Sequence, residues 1–272
     1  MIEGNKVLLI DADSLIYFVA HIEKLEDAIL GLDKRIADIF EANKSNEYVM
    51  FLTGKDCFRY NVAKSAVYKG NRLEREKPKW LNVITQYMIV KYKAIYYRGL
   101  EADDCVTYFQ NKIPNSRICA IDKDVIKSTE GTHYNYGMEK VPDTEPQEWR
   151  FKGLITVTGE DADNAFMIQA LTGDSGDNIP GIEGVGPAKA KKILEGRINV
   201  TIEQCILNAY VDKYPGPEGL CRFAETFRLV YMLRTDEDMM REVSYIPELP
   251  TINKIVVGEE SSHEDDYEGR NW

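Results

Sequence analysis

A three-layer α/β body with a central, mostly parallel sheet and a helical appendage is the fold this sequence predicts, and three observations predict it. Short apolar runs at residues 6–10 and 117–121 end at Asp11 and Asp122, and a similar run occupies 48–52. Stretches with helix-spaced apolar residues, 14–40 and 80–90, alternate with those runs. Late in the chain a glycine-rich turn opens a lysine-bearing helix. Apolar runs without polar alternation read as strands buried on both faces, as in parallel sheets covered by helices. Ligands of such sheets bind at the carboxyl ends of the strands, which is where Asp11, Asp122 and Asp124 are expected to emerge.

The remaining elements follow in order. On the 80–90 helix, Trp80, Val83, Ile84, Tyr87 and Met88 fit one face. Residues 94–97 read as a further strand, and a helix begins near Glu101. There the sequence EADD puts Glu101 and Asp104 at i and i+3 on one face, with Asp103 near the first turn. Acids in a first turn also suit the helix dipole, which is the plainer explanation of EADD taken alone. Residues 163–171, 187–194, 202–209 and 220–233 read as helices, with a breaker at Tyr214-Pro215-Gly216-Pro217. From Thr235 onward Pro247 and Pro250 imply extended chain, and the last ten or so residues read as disordered.

Composition limits the function classes. The chain has 272 residues, 44% of them hydrophobic, with no long uncharged apolar run. A soluble, cytoplasmic, monomeric protein with no membrane partner is therefore expected. The five cysteines include no CxxC spacing, which argues against a disulfide framework or a zinc site. A net charge of −11 appears hostile to nucleic acid, but the charge is unevenly spread. Lys55, Arg59, Lys64, Lys69, Arg72, Arg75, Lys77 and Lys79 form a basic segment, whereas residues 259–268 form an acidic tail. That tail either stays solvated, repels nonspecific DNA or docks a replication protein.

The chemistry concentrates in TGDSGDNIPGIEGVGPAKAKKIL, residues 172–194. Gly181, Gly184 and Gly186 allow backbone N–H groups to approach a phosphate, and Pro187 suits the first turn of a helix whose positive end faces it. Lys189, Lys191 and Lys192 add charge. Alone, this turn is equally a surface helix-turn-helix with a solvated lysine face. Asp174 and Asp177 just before it point to more. Clustered carboxylates need cations, and an all-oxygen set favours magnesium or manganese.

These residues resemble the helix-two-turns-helix segment of the 5′-3′ exonuclease and flap endonuclease family. LLIDAD (8–13), YKGNR (68–72), EADD (101–104) and IDKD (121–124) recur in the family's order, so the resemblance spans residues 7–235. It implies a PIN-like 5′-nuclease body over 1–160 with a short arch near 58–79, a DNA-binding helical region over 161–235, and an extension over 236–272. It also implies two divalent ions. Asp11, Glu101, Asp103 and Asp122 would centre on the first, with Asp104, Asp124, Asp174 and Asp177 shaping the second. Lys69 and Arg72 would contact the scissile phosphate, Tyr68 would stack on a terminal base, and Arg59, Gly184, Gly186, Lys189, Lys191 and Lys192 would bind nucleic acid. A backbone-carbonyl potassium site near 182–185 is implied as well. The implied substrates are DNA with 5′ ends, flaps or nicks and RNA–DNA hybrids, cut by exonuclease or flap endonuclease action, as in a stand-alone bacteriophage replication nuclease.

One departure matters. Where relatives carry a DAKG-like aspartate after the second strand, this chain has Leu52 and Thr53. Asp13 or a shifted Asp56 would compensate, although Asp13 equally reads as the cap of the following helix. Two rival readings remain: a haloacid-dehalogenase-type phosphatase using Asp11, which leaves the glycine turn unused, and a structure-specific DNA-binding protein without efficient cleavage.

Overall fold

The computed structural model describes residues 6–142, 145–196, 198 and 200–255. The acidic tail therefore lies outside the described residues. In chain order the elements are β1 (Val7–Asp11), α1 (Asp13–Val19), α2 (Leu25–Asn43), β2 (Glu47–Phe51), α3 (Arg59–Val62), α4 (Leu81–Lys91), α5 (Ala102–Lys112), β3 (Ser116–Ala120), α6 (Lys123–Ile126), β4 (Gly131–Lys140) and β5 (Trp149–Val157). Then come α7 (Gly159–Thr172), a small hairpin of β6 (Gly173–Asp174) and β7 (Ile179–Pro180), α8 (Pro187–Glu195), α9 (Ile202–Lys213), α10 (Pro217–Val230), α11 (Asp236–Glu242) and β8 (Asn253–Lys254).

The main sheet runs β5-β4-β3-β1-β2-β8. Its centre is parallel, as the apolar runs predict, while β5 and β8 pair antiparallel at the two edges. From β1 the chain passes to β2 on one side, and β3 lies on the other. That reversal leaves a crevice at the carboxyl edge, between the ends of β1 and β3. Strand β1 is buried along its whole length, and its residues alternate between two cores. Leu8 and Ile10 pack with Leu32, Ile36, Ile84 and Met88 from α2 and α4. Val7 and Leu9 face a second core that contains Phe109 of α5 and continues to Ile182, Val185 and Leu229. The helical region over 161–235 thus shares its core with the α/β body.

Several elements differ from expectation. Val83 of α4 is exposed, so the buried stripe there is narrower than its spacing suggests. Residues 94–97 form only one parallel bridge, Ile95 to Phe51. Strands β4 and β5 have no continuous apolar run, because β5 is an edge strand with one wet face. Helix α11 forms where extended chain was expected, held by a capping box in which Thr235 accepts the Asp238 N–H and Asp238 accepts the Thr235 N–H. No helix among the described residues is long and apolar enough to cross a membrane.

Candidate active site

Asp11 ends β1 and is 3% exposed. Burial first, then the charges of Asp13 and Asp122, push its carboxyl up to about 8. Asp103 in the first turn of α5 is pushed well above the carboxylate range by burial and by Asp11, Glu101 and Asp122. Asp122 caps α6, accepting the Asp124 N–H at 2.8 Å. Asp124 is raised to about 6 by burial and Asp122, with Asp174 also raising it, and accepts from Gln169 at 2.9 Å. Carboxyls raised by the charge of neighbouring acids are the electrostatic mark of anions placed together without neutralisation. Among the described residues no three such side chains close into a ready-made ion cage. The donor chemistry nonetheless fits a hard divalent cation, since carboxylate oxygens that disfavour their own ionisation gain most from a bound charge.

Asp13 resolves one open alternative. Helix α1 begins at Asp13, its cap residue is Ala12, and no side chain caps it. Instead both Asp13 carboxylate oxygens accept the Thr53 N–H, at 3.2 and 3.3 Å. Burial raises this carboxyl while the Thr53 bonds partly offset the rise. The Thr53 hydroxyl in turn accepts the Ala102 N–H at 3.2 Å. At the place where an aspartate was missing, Thr53 therefore steadies Asp13 and the start of α5. Asp56 plays no such part: it pairs with Arg98 at 2.9 Å, both largely exposed.

Glu101 behaves differently from its neighbours. Burial pushes its carboxyl up, but the Arg59 and Lys69 charges and bonds from Lys69 and Tyr68 outweigh that and hold it low. Lys69 Nζ lies 2.5 Å from Glu101 and 3.7 Å from Asp177. Arg72 bonds Asp177, and Tyr68 donates to Glu101 at 2.7 Å and to Asp177 at 3.0 Å. The acids at 101 and 177 thus hold the two cations expected to grip a phosphate. Lys69 takes a positive φ of 54°. Its N–H donates to the Asp177 carbonyl at 2.8 Å, which stitches the 58–79 segment onto the acidic turn.

The structure places three residues singled out by sequence in the interior. Asp104, placed with the second metal, is fully buried and bidentate to Arg59 at 2.5 and 2.8 Å. Arg59, placed on the nucleic-acid surface, is 1% exposed and also donates to the carbonyls of Leu229 and Tyr231. A Phe-Arg pair in a basic segment looks like surface because its acidic partners lie more than forty residues away. Tyr68, expected to stack on a base, is 2% exposed and packs edge-on against Tyr60.

Asp174 accepts the Gly176 N–H at 2.7 Å in the acidic turn. In the hairpin, a Cβ on Gly181 would meet Thr172 C at 2.2 Å, so only glycine lets the two backbones approach there. Gly184 has a φ of +75° and open space where a Cβ would be, as close phosphate approach requires. Gly186 caps α8 with Pro187 in its first turn, and Lys189, Lys191 and Lys192 are exposed beyond it. The first N–H groups of α8 have no intrahelical partner, and a helix start of this kind favours negative charge.

A crevice at the reversal of a parallel sheet gathers acids, tethered cations and a glycine-opened helix on a 5′-nuclease-like fold. The solved bacteriophage T5 flap endonuclease, in a pseudo-enzyme–product complex with DNA and metal ions, shares that fold, with a TM-score of 0.58, 15% identity and coverage of 84% of this chain and 89% of its own. By sequence the chain is 27% identical over 218 residues to DNA polymerase I of Bacillus subtilis, matching 72% of this chain but 24% of the polymerase. It is 26% identical over 214 residues to a 5′-3′ exonuclease of Mycoplasmopsis pulmonis, across 71% of this chain and 67% of that protein. The chain thus spans a quarter or less of the length of the polymerase relatives it matches. No protein-family model matches it. Its sequence is similar to those of 5′-3′ exonucleases, and its fold to that of the solved flap endonuclease.

Proposed function

We propose that this chain is a divalent-metal-dependent 5′ nuclease that hydrolyses phosphodiester bonds near 5′ ends, flaps or nicks of DNA or of RNA primers on DNA. One observation carries the reading: at the sheet edge Asp11 and Asp103 are each pushed up by burial and by nearby acids that include Asp122, while Lys69 and Arg72 are moored to Glu101 and Asp177 beside them. Asp11, Glu101, Asp103 and Asp122 would hold one magnesium or manganese ion, and Asp124, Asp174 and Asp177 the other, with Asp13 supporting the first set. When bound, such ions supply Lewis-acid polarisation of the phosphate and of the attacking water. The chain's own cations do the gripping: Lys69 and Arg72 aim fixed positive charge at the phosphate oxygens as charge spreads over them. The α8 end and its lysines hold the duplex backbone, and the hairpin carbonyls near 182–185 are where a potassium ion would sit.

The test is incubation with 5′-flap, nicked and RNA-primed duplexes in magnesium and in manganese, beside Asp103→Asn. Cleavage by the wild type and none by the variant is expected. Tight binding with no cutting in either metal would replace this reading with that of a structure-specific DNA-binding protein.

Two further outcomes follow. Lys189→Ala or Lys191→Ala should weaken duplex binding and lower the salt dependence by about one unit of slope per lost contact, with turnover on saturating substrate unchanged. Equal losses of turnover, measured by single-turnover kinetics, would count against the division of roles.

Without divalent ions the thermal midpoint should fall as pH rises from about 4 to 8. Asp11 holds its proton more tightly in the folded chain, up to about 8 against an ordinary 3.8, so each step up across that window favours the unfolded chain. Magnesium competes with those protons, so its stabilising increment should be larger at pH 8 than at pH 5.5. Thermal melts with magnesium and with chelator at both values check the sign.

A further inference from the structure

Glu225 of α10 takes no part in the chemistry above, yet it receives three hydrogen bonds from two consecutive residues of the Lys69 loop. Its Oε1 accepts the backbone N–H groups of Lys64 at 2.6 Å and Ser65 at 2.7 Å, and its Oε2 accepts the Ser65 hydroxyl at 2.7 Å. On the same helix the Thr226 hydroxyl donates to the Pro180 carbonyl of the glycine hairpin at 3.1 Å. One turn on, the Leu229 carbonyl accepts Arg59 at 2.9 Å, just before the loop begins. The far half of the loop is held by the acidic turn instead: Asn178 donates to the Val67 carbonyl at 2.9 Å, and Asn71 to the Ser175 carbonyl at 2.9 Å.

We propose that Glu225 is a positioning residue for Lys69 and Arg72: it fixes the entry of their loop to the helix that also bonds the glycine hairpin. The inference rests on the nuclease reading above. Lys64 and Ser65 are exposed, so without Glu225 their N–H groups return to water and the fold survives. What is lost is the fixed start of a short segment whose other end sits on the acidic turn. The cations then sample a wider range of positions, and a displacement of about 1 Å at a catalytic group lowers rate by up to about 100-fold.

The experiment compares Glu225→Ala and Glu225→Gln in the wild-type and Lys69→Ala backgrounds. Glu225→Ala should lower kcat about tenfold with KM within about twofold, because the loss falls on the transition state. Glu225→Gln keeps an amide oxygen for the two N–H groups and should lose less. In the Lys69→Ala background Glu225→Ala should cost clearly less than in the wild type, since the part of its effect exerted through Lys69 vanishes with that group while the part exerted through Arg72 remains. Trypsin should cut after Lys64 faster in Glu225→Ala than in the wild type. Full multiplication of the two losses, or wild-type kcat despite faster tryptic cutting, overturns the proposal. A wild-type protein that cuts no substrate overturns the nuclease reading and this role with it, whereas cleavage by the wild type with an unaffected Glu225→Ala overturns this role alone.

Discussion

Replacing Arg59 with methionine is expected to destabilise the fold by about 3–5 kcal/mol, enough to leave a marginal domain largely unfolded at 37 °C. The guanidinium is buried to 1% exposure, bidentate to a fully buried Asp104, 3.3 Å from Glu101, and bonded to two main-chain carbonyls after and within α10. Burial opposes its charge, but Asp104 and then Glu101 outweigh that and hold it firmly ionised. Methionine keeps the apolar stem and removes every bond, which strands a buried carboxylate. The double variant Arg59→Met, Asp104→Leu removes both charges and should recover much of the loss, because well-packed apolar pairs replace buried ion pairs at little cost. Urea unfolding of the single and double variants is the measurement. A double variant no more stable than the single would show that the carbonyl bonds, and not the ion pair, carry Arg59's contribution.

Lys69→Ala should lower turnover by about 100- to 1000-fold while duplex affinity measured without catalysis changes little. The ammonium is preorganised by three neighbours: Glu101 at 2.5 Å, Asp177 at 3.7 Å and the Tyr68 ring 5.1 Å from its charge. Burial acts to lower its pKa, but Glu101 and Asp177 raise it well beyond the usual lysine range, so it stays charged at any working pH. A cation already in place needs no reorganisation when charge develops on the phosphate. Lys69→Arg should recover only part of the rate, because a planar fork cannot occupy the same pocket between Glu101 and Asp177. Single-turnover rates beside binding measured in calcium would decide it. A tenfold or greater loss of affinity would move Lys69 from transition-state stabilisation to ground-state binding.

The parallel centre of the sheet was legible because buried strands read as continuous apolar runs, and α8 because Gly186 and Pro187 announce its start. The edge strand β5 was not, since half of its side chains face water. Within the site, Asp11, Asp103 and Asp122 follow from strand ends and a helix first turn. Thr53 and Glu225 carried no local signal, because each acts on a partner forty or more residues away.

By itself, then, the sequence determined that Asp11 and Asp122 stand at strand ends and Glu101, Asp103 and Asp104 at a helix start, since residue type and local periodicity suffice for that, while only the family resemblance added the other acids and cations. Only the tertiary structure decided how they divide. Asp104 and Arg59 sit in adjacent motifs with the same charge pattern as Glu101 and Lys69, yet the first pair is sealed in the core while Lys69 keeps part of its side chain open at the crevice. Burial is a property of what packs against a residue, and here that is α10, arriving from 170 residues downstream.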